Sequence, residues 1–303
     1  MEVKEAYQKI EDELKKHIAG KSDVIKLLFI SLVANGHVLL EGVPGVAKTT
    51  MSKALADAID ADFKRIQCLP DLSTSDVLGG VLINEKDGLE LKKGPIFTNI
   101  LLMDELNRAP PKTMGAFLEA LEERQVTISG QDLKLPVPFM AIATQNPLRI
   151  EGTEPLPKVL ADRFMVKIEV TYPTMQEEEE MLNLKESEEK VETKKILTIP
   201  EVLDIQGQIK SVSLPEDIKQ YITQIVNASR TEMHVVMGAS PRADLAFMSC
   251  GKAKALIEGR NTVTREDIHF LARPVLSHRI AVRSTGGIGV NGIIDGILAS
   301  LPQ

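Results

Sequence analysis

The sequence predicts an α/β fold: a five-stranded, mainly parallel sheet in an αβα core, followed by an all-helical second domain. Three observations predict it. Five short apolar runs recur at residues 37–41, 63–67, 100–104, 139–144 and 165–170, with helical patterns between most of them. Such alternation marks parallel strands joined by helical crossovers. A glycine-bearing loop at 42–49 links the first run to a helix. After Val170, Tyr172-Pro173 breaks the pattern and strand signals stop. The core is therefore assigned to residues 1–172 and the helical domain to 173–303.

Each element has its own local reason. Residues 3–34 read as two helices, the first with Ile10, Leu14 and Ile18 on one stripe, the second carrying Ile25, Leu28, Phe29 and Leu32 behind a Ser22-Asp23 cap. His37-Val38-Leu39-Leu40-Glu41 reads as a buried strand. Met51, Ala54, Leu55 and Ala58 then fall at helical spacing. Two hairpin insertions are expected. At 79–97, alternating segments flank Lys86-Asp87-Gly88, and Asp-Gly is a tight-turn signal. At 125–138, Gln125–Ile128 and Leu133–Pro136 flank a turn at Ser129–Asp132. Beyond the break, helices are expected at 174–192, 200–210, 215–230, 241–258 and 264–280. The acidic run Glu177 to Glu180 reads as a solvated helix face. Ser240-Pro241 with Asp244, and Thr264 with Asp267, read as helix-capping devices.

Composition bounds the function. The chain has 303 residues, 43% apolar and 26% charged, enough for two domains and a sizeable core. Net charge is −7 and aromatics are 4% with no Trp, which argues against a dominant nucleic-acid surface or a base-stacking platform. No apolar run approaches membrane-spanning length, and the charged Met1-Glu2-Val3-Lys4-Glu5 start does not read as a secretory signal. A cytoplasmic setting is expected, with Cys68 and Cys250 as inert thiols. The five histidines are scattered without metal-ligand spacing.

The loop Gly42-Val43-Pro44-Gly45-Val46-Ala47-Lys48-Thr49, between a strand and a helix, matches a phosphate-cradling pattern. Gly42 and Gly45 let backbone N–H groups approach phosphate oxygens, and the helix N-terminus adds unpaired donors and partial positive charge. Lys48 supplies a point charge, Thr49 a hydroxyl for Mg²⁺, and Thr50 continues the first turn. Alanine disfavours positive φ, so Ala47 is expected in a right-handed conformation. A glycine turn that binds nothing remains open on the loop alone. The run Ile100-Leu101-Leu102-Met103-Asp104-Glu105 narrows it: a central strand ends in two adjacent carboxylates. Asp104 is expected to hold Mg²⁺ with Thr49, and Glu105 to orient the attacking water. The residues therefore point to ATP hydrolysis, with the triphosphate expected between the first and third strands.

Gly42 to Thr49, Met103-Asp104-Glu105-Leu106-Asn107-Arg108-Ala109-Pro110-Pro111-Lys112, Ala143-Thr144-Gln145-Asn146-Pro147, Ala161-Asp162-Arg163-Phe164 and Gly238-Ala239-Ser240-Pro241-Arg242-Ala243 together resemble the MoxR-type AAA+ ATPases. The resemblance spans essentially the whole chain. It implies a P-loop NTPase core with a helical lid, assembled as a homo-oligomeric ring, commonly a hexamer. It also implies that Asn146 is a sensor of the γ-phosphate, Arg163 an arginine finger serving a neighbour's nucleotide, and Arg242 a second sensor. Taken as residues alone, Asn146 also suits an Asx turn before Pro147, Arg163 a surface pair with Asp162, and Arg242 a pair with Asp244. The family implies a chaperone or remodelling factor acting with a von Willebrand factor A-domain protein in maturation or metal and cofactor insertion. No recognisable A-domain metal motif, Asp-x-Ser-x-Ser, is read in this chain, so any such partner would be separate. The competing readings are a nucleic-acid motor, gripping through Lys86, Lys92, Lys93 and Lys134, and a magnesium-chelatase-like motor subunit.

Overall fold

The computed structural model describes residues 2–18, 20–43, 45–84, 88–146, 156–186, 192–283 and 289–301. Two helices open the chain, α1 (Val3–Lys15) and α2 (Ser22–Val33). The core follows as β1 (Val38–Gly42), α3 (Lys48–Ala58), β2 (Phe63–Gln67), α4 (Thr74–Leu78), β3 (Gly79–Asn84), β4 (Gly88–Lys93), β5 (Ile100–Asp104), α5 (Pro111–Glu123), β6 (Gln125–Ile128), β7 (Gln131–Lys134), β8 (Met140–Gln145), α6 (Lys158–Ala161) and β9 (Val166–Val170). After β9 come α7 (Met175–Glu186), α8 (Ile199–Gln208), α9 (Glu216–Thr231), β10 (Val235–Met237), α10 (Pro241–Ile257), α11 (Arg265–Leu276), β11 (Ala281–Val282) and α12 (Val290–Ser300). None of these helices is long and apolar enough to cross a membrane.

All five expected strands form, in one parallel sheet ordered β2-β5-β8-β1-β9. Their side chains alternate between two apolar interiors. Val38, Leu40, Ile100, Leu102, Met140 and Ile142 join α1, α2 and α3 on one face. Leu39, Leu101, Met103, Ala141 and Ala143 join α4, α5 and the hairpins on the other. Burial on both faces is why these strands read as continuous apolar runs rather than alternating ones. The first interior runs on into the lid through Phe247, Leu271 and Ile294, so it crosses the expected boundary at residue 172.

The strand that ends near Asn146, β8, lies beside the Asp104 strand and between β5 and β1, so the cleft between the first and third apolar runs spans the end of β8 as well. Several expectations about local elements need correction. The second hairpin turns in two residues, Ser129 and Gly130, both at positive φ (51° and 79°), so its return strand starts at Gln131. That geometry matches the right-handed twist of the flanking strands. The first hairpin forms, and its turn at 85–87 lies outside the described residues. Ser22 does not cap α2; the cap is Lys21, at φ 61°, whose N–H donates to Glu177 at 3.3 Å. Ser240 caps α10 by accepting from the Arg242 N–H, but Asp244 is no part of that cap. Thr264 and Asp267 form the expected capping box. The lid is not wholly helical: β10 and β11 pair antiparallel. Helix α12 was not anticipated, because Gly292 and Gly296 interrupt its apolar spacing.

Candidate active site

Strand β1 ends at Gly42, where an added Cβ would lie 2.4 Å from the Val170 carbonyl oxygen. Gly42 is therefore required by close approach to β9, not by the phosphate hollow. Gly45 sits at φ 84° with open space around it, a conformation that favours glycine. Ala47 also adopts the left-handed region, at φ 57° and ψ 22°, against the expectation of a right-handed residue. Left-handed alanine costs about 1–2 kcal/mol. The turn into α3 needs that reversal, and the loop's tertiary anchoring outweighs the local preference. Pro44 lies outside the described residues.

Gly45, Val46, Ala47, Lys48, Thr49, Thr50, Asp104, Glu105, Thr144, Gln145 and Asn146 line one open cleft of ≈ 370 Å³. It lies at the carboxyl ends of the parallel strands, where open α/β sheets place ligands. Three separate stretches of sequence thus meet in one place. The Lys48 ammonium reaches back to the Gly42 and Val43 carbonyls at 2.5 and 3.1 Å. Burial lowers its pKa from the usual lysine value, while Asp104 and Glu105 pull the other way. The Lys48 ammonium and the backbone N–H groups at the start of α3 make this end of the cleft a cradle for an anion, with the Asp104 and Glu105 carboxylates on the facing wall.

The carboxylates are held by residues to which the sequence assigned no role. Asp104 Oδ1 accepts from the Thr144 hydroxyl at 2.6 Å, and its Oδ2 from Arg65 of β2 at 2.5 Å. The Thr144 oxygen also accepts the Glu105 N–H at 2.9 Å. Glu105 stands in the left-handed region (φ 55°, ψ 48°) at the start of a 3₁₀ turn over Leu106–Arg108. Its carboxylate accepts from Arg108 at 2.6 Å and from Gln67 at 3.4 Å. The register Gln67↔Asp104 explains why β2 supplies two of these donors. Gln145 turns aside to donate to Glu41 at 2.7 Å.

Arg163 and Arg242 do not line this cleft. Both line a second cleft of ≈ 190 Å³ with Arg124, Arg279, Asp162 and Leu245. Arg163 pairs with Glu122 rather than Asp162, and Arg242 reaches the same glutamate rather than Asp244. The lid is latched to this region. Arg279, three residues beyond the end of α11, donates to the Asp162 carboxylate at 3.0 Å and to the Phe164 carbonyl at 2.8 Å.

Outside these clefts, Cys68 and Cys250 are free and buried, and burial pushes both thiols up to about 12. His37 is structural: Nδ1 accepts the Ala141 N–H at 3.0 Å and Nε2 bonds the Leu121 carbonyl at 3.1 Å, with burial favouring the neutral ring. The spacing Asp-x-Ser-x-Ser does occur once, at Asp71-Leu72-Ser73-Thr74-Ser75. Ser73 there caps α4 in a box with Asp76, so the match is a helix start. Among the described residues no group of three or more His, Cys, Asp and Glu converges on a metal position.

Comparison with known proteins gives the same assignment. A model of the ATPase family associated with various cellular activities (AAA) matches residues 37–166, and an AAA lid domain model matches 227–287. The chain is 36% identical over 280 residues to Chaperone MoxR1 of Mycobacterium tuberculosis, covering 89% of this chain and 74% of that one. The chain belongs to the MoxR family of AAA+ ATPases. Another MoxR relative, Protein MoxR of Methylorubrum extorquens, is 25% identical over 303 residues, covering 91% and 88% of the two chains. Protein YeaC of Bacillus subtilis is 41% identical over 295 residues, covering 96% and 92%. The crystal structure of a candidate ATPase from Cytophaga hutchinsonii superposes with a TM-score of 0.91 at 38% identity, over 99% of this chain and 95% of that one.

Proposed function

We propose that this ATPase works as a homo-oligomeric ring, a hexamer by family analogy, in which each nucleotide is cleaved with an arginine from the adjoining protomer. One observation carries the reading: Lys48, Thr49, Asp104, Glu105 and Asn146 share one cleft, whereas Arg163 and Arg242 belong to another. A phosphoryl-transfer site gains strongly from a cation at the transferring group. Exposed Leu245 beside the arginines suits a face that is covered on assembly.

Within the cleft, the loop amides and Lys48 bind the phosphates. Thr49 and Asp104 offer a hydroxyl and a carboxylate, the hard oxygen donors that Mg²⁺ takes while keeping most of its water. Both Asp104 oxygens already accept one hydrogen bond, which leaves lone pairs for metal-bound water. Bound Mg²⁺ would neutralise charge on the phosphate oxygens. Glu105 accepts a proton from the attacking water, and Asn146 donates to the γ-phosphate or that water. Pro147, next to that sensor, lies outside the described residues.

The work done by this chemistry is read from the family. A chaperone or remodelling role on a client, with a separate von Willebrand factor A-domain protein as partner, follows the chaperone name of the Mycobacterium relative and the family resemblance. Soluble cytoplasmic operation accompanies that reading.

Mixing inactive subunits tests the ring. Arg163→Ala and Glu105→Gln should each turn over ATP on the order of 10³-fold more slowly alone. Mixed together, they form interfaces that pair an intact Glu105 with an intact Arg163, and turnover should return. Persistent inactivity of every mixture, with assembly shown by sedimentation, removes the trans role of Arg163.

A further inference from the structure

Arg163 has each edge of its guanidinium engaged inside its own protomer. Its Nε donates to Glu122 Oε2 at 3.0 Å, its Nη2 donates to the same oxygen, and its Nη1 donates to the Val159 carbonyl at 2.7 Å. Arg242 arrives from the lid on α10 and donates Nη2 to Oε1 of the same glutamate, with Nη1 3.7 Å from Asp162. One carboxylate therefore holds a core arginine and a lid arginine together.

Glu122 lies in the last turn of α5, where the helix dipole opposes a negative charge. The Arg163 hydrogen bond, with the charges of Arg163 and Arg242, nevertheless keeps its carboxyl below the usual range. The neighbouring Asp162 is fixed by the Ser240 hydroxyl at 2.8 and 2.9 Å and by Arg279. It is therefore the Glu122 pairs that join the two arginines. Glu122 and Arg242 are 43% and 44% exposed, so an outside anion has access to them.

We propose that Glu122 is an internal anion that competes with the neighbouring protomer's γ-phosphate for Arg163 and Arg242. This rests on the trans reading of Arg163 and extends it to Arg242, which lines the same cleft. Carboxylate and phosphoryl oxygens offer guanidinium the same two-point acceptor, and the phosphoryl group carries the larger charge. Docking of an ATP-loaded neighbour exchanges one anion for the other. No bond is made or broken covalently in the exchange. Because Arg242 belongs to the lid and Glu122 to the core, the exchange also unties one core–lid link. Glu122 is thus a positioning residue that sets how readily a protomer's arginines leave home. A protomer carrying ADP presents no γ-phosphate and leaves the lock closed in its neighbour.

The test uses the full chain in a Glu105→Gln background, which holds ATP uncleaved. Sedimentation velocity gives the protein concentration at half-assembly in Mg-ATP and in Mg-ADP, with and without Glu122→Gln. Loss of two exposed ion pairs predicts a two- to five-fold lower midpoint in ATP, about what ~1 kcal/mol supplies. The ADP midpoint should not move. Glu122→Ala should shift the ATP midpoint in the same direction. An unchanged or higher ATP midpoint overturns the lock, and so does an equal shift in both nucleotides, which a merely structural role would give. The two levels of inference fail differently. Wild-type turnover by Arg163→Ala removes the trans reading itself. Inactive Arg163→Ala that is restored by mixing, together with an unmoved Glu122→Gln midpoint, removes only the lock.

Discussion

Thr144 stands beside Asp104 with its hydroxyl donating to Oδ1 at 2.6 Å, at the end of the strand that separates β1 from β5. The same oxygen accepts the Glu105 N–H, so one side chain sets both the aspartate's rotamer and the glutamate's left-handed backbone. Thr144→Val keeps the shape and removes both bonds. The Glu105 N–H is then left without that acceptor, at about 1–3 kcal/mol. We expect ATP affinity close to wild type and turnover reduced at least about tenfold, the equivalent of 1.36 kcal/mol in the barrier. Steady-state kinetics with parallel calorimetry read this out; equal losses of affinity and turnover would place Thr144 in binding instead.

Lys48→Ala should abolish tight ATP binding. The ammonium is the cation in the loop's own cradle, and its removal leaves the phosphates with amide donors alone. Calorimetric titration with Mg-ATP should show no saturable heat at concentrations that saturate the wild type. Unaltered affinity would take Lys48 out of the site.

Glu105→Gln should bind ATP and stall. The amide keeps the shape facing Gln67 and Arg108 but cannot take a proton from water, a role worth about 10²–10⁴ in rate. Single-turnover chemistry with a binding control separates the two. Brisk hydrolysis by this variant would reject its role toward water.

Glu258 ties the amino-terminal helices to the lid. Burial raises its carboxyl, but hydrogen bonds from Lys26 of α2, Arg260 and Lys254 outweigh that and hold it at about 2, below its ordinary 4.5. A carboxylate with a depressed folded-state pKa adds stability above its unfolded value and loses it as pH falls through the folded one. Wild type should therefore exceed Glu258→Gln in urea midpoint at neutral pH, and the gap should close between about pH 4.5 and 2. A gap that stays constant over that window would show that the glutamate's charge contributes nothing.

The five strands, most helix positions, both hairpins and the phosphate loop could be read from local pattern. That follows from burial: a strand covered on both faces is a run of apolar residues, as in Ile100-Leu101-Leu102-Met103, and needs no distant information. The tandem Asp104-Glu105 was legible for the same reason, as charge at the end of such a run. Helix α12 and the two-residue turn at Ser129-Gly130 were less so, because glycine breaks the periodicity in one and turn length sets register in the other.

By itself, the sequence determined that a nucleotide loop, a carboxylate pair and a polar strand end exist on one α/β scaffold with a lid behind it. Only the tertiary structure decided which strands adjoin, because backbone hydrogen bonds carry no side-chain identity and any apolar strand can pair with any other. It alone turned Ala47 left-handed, where the loop's anchoring exceeds the preference of one Cβ. It alone brought Glu122, Arg163 and Arg242 together from three distant segments, since an ion pair depends on distance in space and leaves no trace in spacing along the chain.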